Sequence, residues 1–280
     1  MKIINYNKTL FSFEILPTLS GENFKSIIHI MQYNPFFITI TYHLVRCIYN
    51  IINKIYNYCL SNRKGTIAIC SSISNKFHIE IIPHIIVSGC SNHIMENYLI
   101  DLNYLGINNV FIIRGDIFNN NIYSLDIVKK ISHFMKFCIG VAGYPEKNLY
   151  SPSLEVDILY FKKKILSGAN YIITQMFFDN SKFFHFLSLC RSVGIEIPII
   201  PSLKIITWKY QINTISYKFN LNMPNELLRE IHYAKNFVTE IGIEWAINQS
   251  IELKKTGVPV IHYYTLNRYD HINQILKEVF

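Results

Sequence analysis

At 280 residues, half of them hydrophobic, the chain can bury a substantial core, which excludes a disordered protein. Lys and Arg number 27 against 19 Asp and Glu, a formal charge of +8, but these basic residues are scattered and form no stripe interleaved with stacking aromatics, which argues against a nucleic-acid binder. Six cysteines lie far apart without a CxxC pair, and no run of 18 apolar residues occurs, so zinc-ligand sets, redox pairs and membrane spans are not expected.

Taken in chain order, eight short apolar, β-branched or aromatic runs alternate with helix-length segments: 10–16, 36–42, 79–87, 109–116, 137–145, 171–178, 197–203 and 260–266. Most are apolar on both faces, as parallel strands covered by helices must be, and amphipathic stretches at 154–167, 182–192 and 240–255 supply the cover. Eight strand–helix units in about 250 residues predict an α/β fold, a closed (β/α)8 TIM barrel, over an undivided domain 1–280. The stretch 208–228 exceeds an ordinary αβ connection and reads as a helix plus an active-site loop. Eleven glycines yield neither GxGxxG nor a P-loop, so a dinucleotide needs some other cradle.

Barrel chemistry gathers where strand C-termini meet the βα loops. The residues late in these strands are polar: Glu14; Thr39 and Thr41; His84; Arg114 and Asp116; Tyr144 and Glu146; Gln175; Lys204; Asn267 and Arg268. So many isolated polar groups at one end of apolar strands imply a shared cavity. In Phe11-Ser12-Phe13-Glu14 the period of two turns Ser12 and Glu14 to one face, toward the barrel interior. Burial there, lifting a glutamate from about 4.3 toward about 6.5 at a cost of roughly 3 kcal/mol, makes a general acid.

Other positions support two readings. Asp116 follows Gly115 in either an ordinary turn or a close approach to a ligand; His84 is either a core histidine or a cofactor contact. Lys162, Lys163 and Lys164 are either solvated or include one that reaches a pyrophosphate.

Six matches in order extend this pattern. They are Phe11-Ser12-Phe13-Glu14 with Pro17, Thr39-Ile40-Thr41-Tyr42, Pro83-His84, Arg114-Gly115-Asp116, Val141 to Glu146 followed by Gly168-Ala169-Asn170 and Ile173 to Asp179, and Tyr263 to Arg268. Together they resemble methylenetetrahydrofolate reductase of the bacterial, single-catalytic-domain kind, from about Phe11 to Phe280.

The resemblance implies a non-covalent FAD at Thr41, His84, Arg114, Gly115, Asp116, Ala142, Tyr144, Asp157 and Lys164, and folate at Glu14, Asp116, Gln175, Gln211 and Arg268. It implies a ping-pong enzyme of one-carbon metabolism that feeds methionine synthesis. NADH or NADPH delivers hydride to FAD and leaves. Methylenetetrahydrofolate then takes its place, with Glu14 as acid and Asp116 stabilising the cation that forms. A homo-oligomer in the cytoplasm is the expected state, with no metal. Asn148, His43 and Ile215 depart from the family pattern, standing where a His, a Gly and an aromatic are usual. The competing readings are a related flavin barrel that oxidises an amino acid such as proline, and a non-catalytic flavin-binding protein.

Overall fold

The computed structural model describes residues 8–17, 23–41, 48–49, 56–57, 65–87, 92–115, 124–134, 136–265 and 269–280. Its strands are β1 (Leu10–Ile15), β2 (Phe37–Ile40), β3 (Ile48–Tyr49), β4 (Tyr56–Asn57), β5 (Glu80–Ile86), β6 (Asn109–Ile113), β7 (Cys138–Gly143), β8 (Ala169–Met176), β9 (Ile199–Lys204) and β10 (Val260–Tyr264). The helices are α1 (Asn23–Met31), α2 (Thr66–Phe77), α3 (Asn92–Tyr104), α4 (Ser124–Phe134), α5 (Leu154–Leu166), α6 (Asn180–Ser192), α7 (Tyr210–Phe219), α8 (Asn225–Tyr233), α9 (Val238–Lys255) and α10 (Asp270–Val279).

Eight of the strands close into a barrel in the order β1-β10-β9-β8-β7-β6-β5-β2, while β3 and β4 form a separate antiparallel pair. The barrel neighbours are all parallel, with helices between them in the chain, which is the (β/α)8 architecture. Each of the eight sequence runs holds one barrel strand.

The strands' two apolar faces divide the core in two. Phe13, Ile15, Ile38, Ile40, Val110, Ile112, Ile139 and Val141 face outward against the helices. Phe37, Ile82, Phe111, Tyr171, Ile173, Ile200 and Val260 fill the bore. Burying each such side chain contributes about 1.5–3 kcal/mol, so the period-two pattern fixes which residues face the bore.

The stretch 208–228 differs from expectation. It forms α7 and the start of α8, two helices joined by a short connection instead of a helix and a long loop. Ile212, Ile215, Leu221, Leu227 and Ile231 bury one apolar face of this pair against Met176, Phe178 and Ile206, and that burial gives the segment its order. Cys70 and Cys190 are buried free thiols. No described helix is long and apolar enough to cross a membrane.

Candidate active site

Strand register sets one level of the barrel mouth. Glu14 lies opposite Tyr264 on one side and Thr39 on the other, and Tyr264 lies opposite Lys204. Glu14 is 7% exposed, and its Oε2 stands 3.7 Å from Nε2 of the equally buried His84. Burial pushes the Glu14 carboxyl up to about 8 against the opposing pull of the Lys204 ammonium. Glu14 therefore keeps its proton at neutral pH. Around it Tyr264 donates its hydroxyl to the Thr174 carbonyl at 3.1 Å, and the Thr265 hydroxyl donates to the backbone carbonyl of Glu14 at 2.7 Å. These bonds fix the strand end that carries the acid.

One turn of the pleat deeper sits a group that sequence reading missed. His262 is fully buried, with Nδ1 2.8 Å from the Ser12 hydroxyl and Nε2 3.3 Å from the Thr39 hydroxyl. Its ring stacks on Phe37 at 5.8 Å. Burial, reinforced by His84, pulls the imidazole down to about 3, so it is neutral and offers one donor and one acceptor. The alternation Val260, His262, Tyr264 carried the signal for an inward histidine.

A second polar cluster lies beyond β6 and β7. Ser153 caps α5 by accepting the Val156 N–H at 3.3 Å, which starts the helix where Asp157, Phe161 and Lys164 share a face. Asp157 accepts the Asn148 N–H at 2.5 Å. Its carboxyl is raised by burial, which the Asn148 N–H and the Lys164 charge partly offset. Burial in turn brings the Lys164 ammonium down to about 8, opposed by Asp157. Tyr144 stacks on Phe161 at 6.3 Å, and its hydroxyl is raised first by burial and then by Asp157. The Arg114 guanidinium lies 4.8 Å from the Tyr150 ring centre. Arg114, Tyr144, Asp157 and Lys164, far apart in sequence, thus meet in one place, and Lys162 and Lys163 stay exposed.

The remaining expected residues distribute as follows. Thr41 is buried at the end of β2 and its hydroxyl has no partner. Gly115 takes φ 91°, a backbone conformation that favours glycine. Ala142 packs against the bore cluster. Gln175 is half-buried, and its Oε1 accepts the Met176 N–H at 3.0 Å. The Gln211 Oε1 accepts the N–H groups of Thr207 at 2.8 Å and Trp208 at 3.2 Å, so this side chain shapes the loop before α7. Glu146 turns away from the bore to accept two hydrogen bonds from Asn222, between α7 and α8. Ile215 belongs to the apolar cluster under α7. Asp116, Arg268 and His43 lie outside the described residues.

The sequence matches the family model of methylenetetrahydrofolate reductase over residues 1–279. A 5,10-methylenetetrahydrofolate reductase of Buchnera aphidicola subsp. Baizongia pistaciae is 31% identical over 296 residues, covering 96% of this chain and 95% of that one. A longer Caenorhabditis elegans relative is 33% identical over 188 residues, which takes 62% of this chain and 28% of that protein. Among solved structures, a Clostridium thermocellum protein that binds two copies of 5-methyl-5,6,7,8-tetrahydrofolic acid superposes with a TM-score of 0.64 at 14% identity, covering 99% of this chain and 96% of that one, a likeness of fold.

Proposed function

The chain belongs to the methylenetetrahydrofolate reductase family, and from that premise we propose that it reduces 5,10-methylenetetrahydrofolate to 5-methyltetrahydrofolate with FAD as cofactor and NADH or NADPH as reductant. The observation that carries this reading is Glu14, a buried carboxylic acid holding its proton near neutral pH at the mouth of a barrel.

The residues present fit a flavin dinucleotide. Thr41 offers a buried hydroxyl without a partner, and Arg114 and Lys164 supply two cations beside Tyr144 and Asp157 for a group with an anionic pyrophosphate. His84, Gly115 and Ala142 stand between this cluster and the acid, and Asp116 completes the set we assign to it. Bound FAD supplies the hydride chemistry, taking hydride from the nicotinamide and yielding it to the one-carbon unit in a second half-reaction.

The protein's own part is to place and to protonate. Glu14 gives its proton to the folate nitrogen, the nitrogen–methylene bond opens, and an electrophilic iminium remains to accept hydride. His262, neutral and held by Ser12 and Thr39, keeps a second positive charge out of the bore beneath the forming cation. We assign Gln175 and Asp116 to the pterin, and Arg268 with Gln211 to the rest of the folate. An amino-acid oxidase barrel has no use for a proton donor at Glu14, which sets that alternative behind. The test is product: incubation with FAD, NADH and methylenetetrahydrofolate yields 5-methyltetrahydrofolate by mass spectrometry, and its absence contradicts the proposal.

A further inference from the structure

Lys204 ends β9 with its side chain in the barrel mouth, on the inward alternation that runs Ile200, Ser202, Lys204. It is 9% exposed, an unusual burial for a lysine. Along the barrel wall Glu14, Tyr264 and Lys204 stand at one level on three successive strands, β1, β10 and β9. Lys204 also lines a small cavity with Thr207, Gln211, Tyr264, Thr265 and His271, so its stem is enclosed on the side away from Glu14. The loop that follows is pinned: Gln211 holds Thr207 and Trp208, and helix α9 lies directly against the Ile206 backbone. The ammonium group therefore has a fixed root and faces the acid.

We propose that Lys204 is a positioning residue for the acid step, stabilising the carboxylate that Glu14 becomes when it gives up its proton and thereby setting how strong an acid Glu14 is. This rests on the reading of Glu14 as the folate acid. When the Glu14 O–H bond breaks and the proton passes to the folate nitrogen, a negative charge appears in a site that burial makes hostile to it. His84 on β5 is 3.7 Å away, Tyr264 on β10 adds no positive charge, and His262 below is neutral. Lys204 is thus the described group whose cationic charge is felt directly by the Glu14 carboxyl. The opposing effects of burial and Lys204 leave an acid that is protonated at neutral pH yet able to part with its proton.

The experiment follows the Glu14 carboxyl directly. Protein labelled with [5-13C]glutamate is titrated by NMR without folate, the Glu14 signal being identified by its loss in Glu14→Gln. In Lys204→Met, and independently in Lys204→Gln, the midpoint rises by about one pH unit or more, while Lys204→Arg restores it. In rapid-reaction kinetics the alkaline limb of the folate half-reaction moves to higher pH by the same amount and its plateau falls, and reduction by NADH keeps its rate. A midpoint unmoved in both folded variants, in a protein whose parent form reduces folate, overturns the role of Lys204 alone. A parent protein that reduces no folate at any pH overturns the functional reading itself.

Discussion

Nε2 of His84 stands 3.7 Å from Oε2 of Glu14, reaching past β2, the strand that separates β5 from β1 in the barrel wall. Both side chains are buried, so this pair forms a polar bridge over an apolar bore and places the acid within the mouth instead of against the wall.

The acid role separates the two half-reactions. Glu14→Gln keeps the side chain's size and removes the transferable proton, so flavin reduction by NADH is retained while the folate half-reaction falls by about 10²–10⁴-fold. Stopped-flow measurement of each half-reaction checks this. Equal loss in both removes Glu14 from the acid role.

Stability carries the mark of the same group. Folding raises the Glu14 carboxyl from its ordinary 4.5 to about 8, so between those pH values the folded chain holds a proton the unfolded chain has lost. The stability this contributes is complete below the lower value and is lost as pH rises through the upper. Glu14→Gln lacks that loss. From pH about 5 to about 9 its stability should rise relative to the parent protein by on the order of 1–3 kcal/mol. Urea unfolding at the two pH values checks the difference, and parallel curves contradict it.

Lys164 tests the cofactor cluster. With its charge toward a pyrophosphate, Lys164→Met weakens FAD binding about 10–100-fold, the size of a lost charge-assisted hydrogen bond, and Lys164→Arg weakens it less. Fluorescence quenching of FAD titrated into apoprotein reads the affinity. Unchanged affinity in Lys164→Met returns the residue to a solvated helix lysine.

Gly242 tests the frame behind the mouth. A methyl carbon there would lie 1.9 Å from the Ile206 carbonyl oxygen, a backbone atom that cannot swing aside. Gly242→Ala must push α9 from the loop that follows Lys204, destabilising the fold by about 1–3 kcal/mol or more and slowing the folate half-reaction together with it. A shift in urea midpoint checks the first effect and rapid-reaction kinetics the second.

The sequence made the barrel legible because parallel strands need two apolar faces, and runs such as Asn109–Ile113 and Ile199–Lys204 cannot be solvated on either side. Glu14 was legible for the same reason, one carboxylate in a strand whose period of two leaves it nowhere but the bore. The Ser12–His262–Thr39 group was not. Its members are 250 and 223 residues apart, and only the closure of β10 onto β1 brings them into contact. Gln211 and Ile215 show a different limit. Both lie in α7, where helical spacing marks neither the loop bonds that the Gln211 side chain accepts nor the depth at which Ile215 is buried. Of the alternatives for the lysine triplet, only the helical phase set by Ser153 and Phe161 singles out Lys164.

One bound flavin serving both substrates has a direct spectroscopic signature. In an anaerobic cuvette, NADH added to the FAD-loaded protein should bleach the flavin band, and methylenetetrahydrofolate added next should restore it with formation of 5-methyltetrahydrofolate. Bleaching without recovery in the presence of folate would contradict the proposed reaction and assign the barrel to another flavin substrate.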